Sequence, residues 1–578
     1  MTLALRWLAL AVSAATSLLG ACLFVLLARA DGWTSMDGIR LILSTLCVFW
    51  LTWGTMGGLL GLLPSRAVPP PPLHPTDRSR TALLMPIFHE DPPSTFARVA
   101  AMSARLSALG EHEAVDIFIL SDSQSLESAA RETLWFERLL AECAAREQIF
   151  YRRRPKNTGR KAGNIEDFIR RSGGAYDFAL VLDADSLMEA ETIMQMIARM
   201  AAAPSLGLLQ SLPLIVHSRS VFGRALQFSA RLYSPTYARG VARLQGREGP
   251  YWGHNAIFRV AAFAQSCGLP ELRGRPPFGG QILSHDYVEA ALLARAGYEV
   301  QLDPAIGGSF EEGPDNIVDF AKRDQRWCQG NLQHSRVLLA PELRIWNRVT
   351  LLQGICNYLM PPVWLLLLIV SIVAADFPHR GRTGVVPDWA GWLLIGGVAG
   401  ILMLPKLLIA LLEIARGRVQ GFAGAGMLLL SGLAELVLST LSAPIVLMFQ
   451  VRAVLRVLSG FDGGWPPSNR TDGTLSLGQA WNSSWWITCF GAAGLASVLV
   501  AGPGLVAWSL PVALPMILAP LVVWATSLRP PQSLALWDLP SITSPVLDEW
   551  RAIYDRWAGE HTDIDAEFTT PETANVLG

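Results

Sequence analysis

Two apolar runs long enough to cross about 30 Å of hydrocarbon precede residue 64, at Leu8 to Ala28 and Leu41 to Leu63. More follow Val349, at Leu351 to Ala375, Trp389 to Leu412, Phe422 to Gln450, Trp485 to Ala501 and Gly504 to Leu528. The stretch between the two groups has ordinary charge density and no such run, so the chain divides into a membrane part and a block that stands in water. Composition agrees: 16% of the 578 residues are charged and 51% hydrophobic, against roughly 25% charged in an average soluble protein. Lysine plus arginine (47) nearly balances aspartate plus glutamate (48), which leaves no global positive field, and no nucleic-acid partner is expected. The seven cysteines contain no C-x-x-C pair, which argues against a cysteine metal site and structural disulfides.

The first run exceeds the apolar core of a signal peptide and a second span follows at once, so it reads as an uncleaved anchor. Arg66, Arg78 and Arg80 follow the second span, whereas Arg29 and Arg40 between the spans are balanced by Asp31 and Asp37, which puts the soluble block in the cytoplasm. The division expected is two N-terminal transmembrane helices in 1–63 and a Pro-rich linker in 64–80 around Pro69 to Pro72. A cytoplasmic domain in 81–345 with interfacial helices at its end, a C-terminal transmembrane region in 346–528 and a loosely structured acidic cytoplasmic tail in 529–578 follow. The Phe422 to Gln450 run is flanked by Arg416, Arg418, Arg452 and Arg456 and carries Glu435 at its middle, where a charge on a lipid-facing helix costs about 2.5 to 3.5 kcal/mol. It reads as a re-entrant or interfacial segment near 422–482, which gives about six full spans and places both termini in the cytoplasm. The alternative is a plain further span in which a neighbour satisfies Glu435.

Inside the soluble block, strand candidates Ala82 to Phe88, Asp116 to Leu120, Phe178 to Leu182 and Gly207 to Val216 alternate with helical stretches such as Ser125 to Glu147. Such alternation reads as a mostly parallel α/β sheet, which binds ligands at the carboxyl ends of its strands. The first strand ends in His89-Glu90-Asp91, the second in Ser121-Asp122-Ser123, and the third runs into Asp183-Ala184-Asp185. Asp183 and Asp185, two apart on an extended segment, point to one side and can meet one cation. Mg²⁺ or Mn²⁺ takes one or two carboxylates and completes its shell with phosphate oxygens and water, which suits a nucleotide diphosphate; the plain alternative is a capped turn. Ser284-His285-Asp286 opens the helical stretch Tyr287 to Ala296, where Asp286 is either a helix cap or a general base for a sugar hydroxyl. The segment Arg323 to Gly330 is either a basic stretch on lipid headgroups or a site in which Arg326 meets a departing diphosphate and Trp327 offers an indole platform to a sugar.

The ordered set Asp122, Asp183-Ala184-Asp185, Ser284-His285-Asp286 and Arg323-x-x-Arg326-Trp327, bracketed by spans, resembles the processive family-2 glycosyltransferases, the group that includes cellulose synthase. The strings MPIFHEDP (85–92), GHNAIFR (253–259), FEEGP (310–314) and RDQRWCQGNLQH (323–334) resemble the glucans biosynthesis glucosyltransferase H family, and the likeness runs from the first span to about Leu528. The resemblance implies an α-helical transmembrane bundle with an inserted cytoplasmic α/β glycosyltransferase domain of GT-A type. It implies a multi-pass enzyme of the bacterial inner membrane that uses UDP-glucose and Mg²⁺ or Mn²⁺ to build the β-glucan, mainly β-1,2, of osmoregulated periplasmic glucans. Its partners would be the growing glucan chain, membrane lipid and a periplasmic glucan-biosynthesis protein.

Carried onto this sequence, the resemblance implies that Asp122 binds uracil or ribose, that Asp183 contacts the nucleotide and that Asp185, with Asp183, binds the metal. It implies Lys161 near the nucleotide, Asp286 as base, Arg326 on the diphosphate, and Trp327 with Gly253, His254 and Asn255 on the acceptor. Two features depart from it. Position 323 is arginine where the motif commonly begins with glutamine, and the sequence starts almost in its first span, so regulation through a long N-terminal extension is not expected. Glu435, Asn357, Trp364 and the Phe461 to Trp465 loop are candidate residues along an export path. The rival readings are a cellulose-like family-2 synthase, a glycosyltransferase that loads a lipid carrier, and a transporter with a nucleotide sensor. The last calls for a G-x-x-x-x-G-K-S/T loop, which the sequence lacks.

Overall fold

The computed structural model describes residues 1–64, 79–375, 388–461, 473–531, 536, 537, 539 and 542–568; the Pro69 to Pro72 run and Trp465 lie outside the described residues. The soluble block contains strands β1 (Thr81–Ile87), β2 (Val115–Ser121), β3 (Ile149–Arg153), β4 (Phe178–Val181), β5 (Leu187–Met188), β6 (Leu206–Ser211), β7 (Leu214–Val216), β8 (Ala256–Arg259), β9 (Glu299–Asp303) and β10 (Ser309–Glu312). A seven-stranded sheet runs β3-β2-β1-β4-β8-β6-β9, and β5-β10-β7 form a small second sheet. In the large sheet only β8 is antiparallel to its neighbours, β4 and β6. This is a GT-A-type α/β domain. The sequence candidate Gly207 to Val216 divides into β6 and β7 at Leu212-Pro213, because proline brings no backbone donor to a ladder.

The large sheet is covered on both faces, which is why its strands read as continuous apolar runs rather than alternating ones. Side chains still alternate: Leu83, Met85 and Ile87 of β1 enter one core together with Phe178 and Leu180 of β4. Ala82, Leu84, Ala179 and Val181 enter the other. The Pro92–Leu109 helix that follows β1 starts where Asp91 accepts from the Ser94 amide and stops at Gly110 in the left-handed region.

Among the described residues, six helices are long and apolar enough to cross a membrane: Thr2–Ala30, Asp37–Leu62, Ile345–Ala374, Trp389–Ala415, Ala425–Leu458 and Leu477–Ala501. A further pair, Pro503–Ile517 and Ala519–Ser527, is bent by 60°. The Asp37–Leu62 helix meets the Val221–Gln245 helix of the soluble block backbone to backbone. A Cβ on Gly240 would sit 1.8 Å from the Gly57 carbonyl oxygen and one on Gly61 1.8 Å from that of Thr236, so small residues set this joint.

The Phe422 to Gln450 run begins at the end of a short 3-10 turn, Gln420–Phe422, and from residue 425 onward lies in one 34-residue helix, Ala425–Leu458. Its charge is satisfied: Lys406 donates to both Glu435 oxygens at 2.8 and 2.9 Å and Ser439 donates at 2.6 Å, so the buried carboxylate has a cation and a hydroxyl. Both ends of this helix lie against the soluble block. Leu428 clusters with Phe228 of the Val221–Gln245 helix, while Val454 and Val457 cluster with Cys328 and Leu332. The sharp break falls instead between Ile517 and Ala519, in a segment bordered by Pro511, Pro515 and Pro520.

One expectation needs correcting. Residues 545–568 form a helix, Pro545–Phe568, that packs on the Pro92–Leu109 helix and contributes Val546, Leu547, Trp550, Ile553 and Trp557 to the main core. The segment is not a loose tail. All seven cysteines are free.

Candidate active site

The carboxyl ends of β1, β2 and β4, the turn before β8, the start of the His285–Arg295 helix, β10 and the Ile317–Gln333 helix enclose one cleft. Asp122 follows β2 and is buried, and an ionised carboxylate there requires a cation. Arg154 supplies it bidentately, Nε to Oδ1 at 2.7 Å and a terminal nitrogen to Oδ2 at 2.8 Å. The same guanidinium donates to the carbonyls of Thr158 at 3.0 Å and Arg160 at 3.1 Å. The sequence expectation gave Asp122 contact with uracil or ribose; each of its oxygens accepts one bond from Arg154, and the pair fixes the loop that leads into Lys161.

Lys161 donates to Asp183 and, at 2.7 Å, to the Gly253 carbonyl. Burial alone would raise the Asp183 carboxyl, but Lys161, with His254 and Arg323, outweighs it and holds it below the usual carboxylate range. The Asp183 amide donates to Ser186 at 3.0 Å and closes the turn that carries Asp185. No group of three or more His, Cys, Asp or Glu converges as a metal cage among the described residues. Two carboxylates at a strand end offer hard oxygen ligands, and that set fits Mg²⁺ or Mn²⁺ when a diphosphate supplies further oxygens.

Gly253 (φ 85°) and Asn255 (φ 50°) turn the chain into β8 through the left-handed region. A Cβ on Gly253 would lie 3.6 Å from Asp286 Oδ2, so the backbone at this position lines the cleft directly beside that carboxylate. His254 stands 3.6 Å from Glu311. Asn255 does not fit the acceptor role expected of it: it is fully buried and donates to Ser309 Oγ at 2.7 Å, so it pins the turn to β10. Glu311 was missed by sequence reasoning, although the FEEGP string contains it. Burial pushes its carboxyl up, His254 and Arg323 oppose this, and Asp185 and Asp183 add to the rise.

Asp286 sits in the first turn of its helix. Burial pushes its carboxyl up; His285 opposes that rise, Glu289 adds to it, and the amides of Asp286 and Tyr287 pull it down. His285 Nδ1 is 3.0 Å from Glu289. Burial would lower the His285 imidazole, yet Glu289 and Asp286 keep it above its ordinary value. The whole turn is clamped to the Ile317–Gln333 helix. Gln333 accepts from the Leu283 amide at 3.0 Å, His334 Nε2 lies 2.9 Å from the Ser284 carbonyl, and a Cβ on Gly330 would fall 2.1 Å from Ser284 Oγ. These three residues were legible only as part of a string. On the same helix the Arg323 guanidinium lies 4.5 Å from the centroid of Trp327, whose side chain is 41% exposed. Arginine in place of glutamine thus covers one face of the indole.

A mostly parallel sheet with carboxylates at its strand ends, facing an arginine–tryptophan helix, defines a family 2 glycosyltransferase. The family described as Glycosyl transferase family 2 matches residues 84–266, and Glycosyl transferase family group 2 matches 178–527. The chain belongs to the glucans biosynthesis glucosyltransferase H family. It is 52% identical over 572 residues to the protein of that name from Cereibacter sphaeroides, with 96% of each covered. It is 41% identical over 521 residues to the one from Xanthomonas oryzae pv. oryzae, covering 86% of this chain and 80% of that one. Among solved structures, a mannosyltransferase from Pyrobaculum calidifontis in complex with GDP-Man and Mn²⁺ aligns with a TM-score of 0.45 and 13% identity, over 73% of this chain and 99% of that one.

Proposed function

We propose that this glucosyltransferase inverts the anomeric centre of UDP-glucose, polymerises the sugar into a mainly β-1,2 glucan for the periplasm, and passes the chain across the bacterial inner membrane. The observation that carries the reading is that Asp286 borders the Gly253 turn, whose carbonyl accepts from Lys161, while its own turn is clamped to the helix bearing Arg326 and Trp327. Base, donor pocket and acceptor platform therefore share one rigid frame.

Asp286 takes the proton of an acceptor hydroxyl as that oxygen attacks C1 of the α-linked donor; one attack gives one inversion and a β product. Lys161 and Arg326 bind the diphosphate and stabilise the charge that develops as the anomeric bond breaks. Asp183 and Asp185 would hold Mg²⁺ or Mn²⁺, which neutralises diphosphate charge. Trp327 orients the acceptor ring on the indole face that Arg323 leaves open.

Four contacts support six crossings with the catalytic block and both ends of the chain in the cytoplasm. Arg6 donates to the Leu244 carbonyl at 2.7 Å. The Leu475 amide donates to Ser527 at 3.1 Å, and the Leu528 carbonyl accepts from Val221 at 2.9 Å, so the Leu477–Ala501 helix and the bent pair start and finish beside the soluble block. The Pro545–Phe568 helix lies on the catalytic block itself. In this arrangement the Ala425–Leu458 helix, with both ends on that block, lies along the interface.

The full chain in nanodiscs, given labelled UDP-glucose with Mg²⁺ or Mn²⁺, is expected to make a polymer resistant to β-1,4-glucanase and cleaved by β-1,2-glucanase. Absence of polymer across lipid compositions refutes the reading, and a β-1,4 product replaces it with the cellulose-like alternative. Exchange of His285 for Gln tests the base. Glu289 and Asp286 keep the His285 imidazole above its ordinary value, and its charged form pulls the Asp286 carboxyl down, so without it Asp286 stays protonated to higher pH. The acidic limb of kcat/KM then moves upward; a limb that stays in place separates His285 from the base.

A further inference from the structure

The Ile317–Gln333 helix has two working faces. Arg323, Arg326 and Trp327, spaced i, i+3 and i+4, share the one turned to the cleft. Asp324 is one residue on, about 100° around the helix, and is buried, 8% exposed, against the membrane helices. Tyr358 of the Ile345–Ala374 helix donates its hydroxyl to Asp324 Oδ1 at 3.0 Å, and Gln450 of the Ala425–Leu458 helix donates Nε2 to Oδ2 at 3.0 Å. Cys328, Leu332, Ile355, Val454 and Val457 form the apolar surround.

A carboxylate buried on two neutral donors is a costly way to join three helices, since well-packed apolar side chains do it at lower free-energy cost. What the carboxylate adds is direction. Each oxygen accepts from a different helix, so rotation or sliding of the Ile317–Gln333 helix breaks one bond or both, whereas an apolar contact would let it slip. Elongation makes that rigidity matter. After every transfer the new chain end must take the place of the old one on Trp327 while the chain advances toward the membrane.

We propose that Asp324, Tyr358 and Gln450 form a joint that holds the acceptor-bearing helix in register with the export path, and that they are positioning residues for elongation rather than for the chemical step. The inference rests on the glucan-polymerising reading above. Loss of the joint leaves donor binding and glucosyl transfer in place but lets the chain end escape between transfers.

The test uses the full chain in nanodiscs with three readouts: UDP-glucose binding by calorimetry, UDP release, and glucan length by chromatography. Tyr358→Phe removes one hydrogen bond at almost constant volume, Asp324→Asn keeps the shape with one acceptor fewer, and Gln450→Leu removes the other donor. Each is expected to keep donor binding and UDP release near wild type while mean glucan length falls roughly tenfold, the factor in a dissociation equilibrium that one charged hydrogen bond controls. Unchanged length in variants that bind donor normally overturns the joint. So does a parallel fall of all three readouts, which marks a purely structural role. If Asp324→Asn fails to fold, the two partner variants decide. A wild-type arm that makes no polymer refutes the polymerase reading, and the joint falls with it; polymer from wild type with unaltered variants refutes the joint alone.

Discussion

Asp286→Asn is expected to lower the transfer rate by at least about 10³-fold, within the range associated with a positioned general base, while UDP-glucose binding changes little. Asparagine keeps the shape and the hydrogen bonds from the amides of Asp286 and Tyr287, but it cannot accept the acceptor's proton. Donor contacts are assigned to the Lys161, Asp183 and Asp185 side of the cleft, across the Gly253 turn, and the substitution leaves them untouched. Binding by calorimetry and turnover by UDP release separate the two effects. The pH profile gives a second check: burial lifts the Asp286 carboxyl above the ordinary range, so the wild-type acidic limb falls at higher pH than for a solvated aspartate. A variant that retains turnover removes Asp286 from the role. A variant that loses binding and turnover together gives Asp286 a structural one, since its turn is bonded to Gln333 and His334.

The division of the chain and the catalytic elements were legible because each leaves a local mark: a long apolar run, an apolar strand ending in a carboxylate, an ordered spacing of acids and arginines. Partnerships between distant residues leave none. Asp122 marked the end of β2, but nothing at position 122 announces that Arg154, just past the end of the next strand over, donates to both of its oxygens. Lysine 406 lies in an apolar run 29 residues before Glu435, and only the packing of two helices makes them a pair. Asn255 looked like an acceptor ligand because it stands beside Gly253 and His254; the left-handed turn rotates its side chain into the core. The segment 529–578 was misread for a different reason. Its acids outnumber its bases, while its apolar residues at 546, 550, 553 and 557 recur at the spacing of one helix face.

That helix carries the largest expected stability effect. Trp557 is fully buried beside Trp135, with ring centroids 5.5 Å apart, and its indole nitrogen lies 3.4 Å from Glu142. Trp557→Ala is expected to cost about 3 to 5 kcal/mol, the usual range for removing a buried tryptophan. The loss reaches the cleft through the preceding turns: Trp550 lies under the Arg98 guanidinium at 4.9 Å and against His217 at 4.7 Å, and Arg98 pairs with Glu312, the neighbour of Glu311 on β10. Releasing the helix therefore loosens the strand that sets Glu311 beside His254. Limited proteolysis should cut the variant between 545 and 568 at protease levels that spare the wild type, its thermal unfolding should fall by several degrees, and UDP release should drop with it. The exposed Asp555→Ala on the same helix should change none of these. Wild-type proteolysis and melting in Trp557→Ala would mean that the sheet and its carboxylates hold their places without the helix, and Glu311 would then owe its position to β5 and β7 alone.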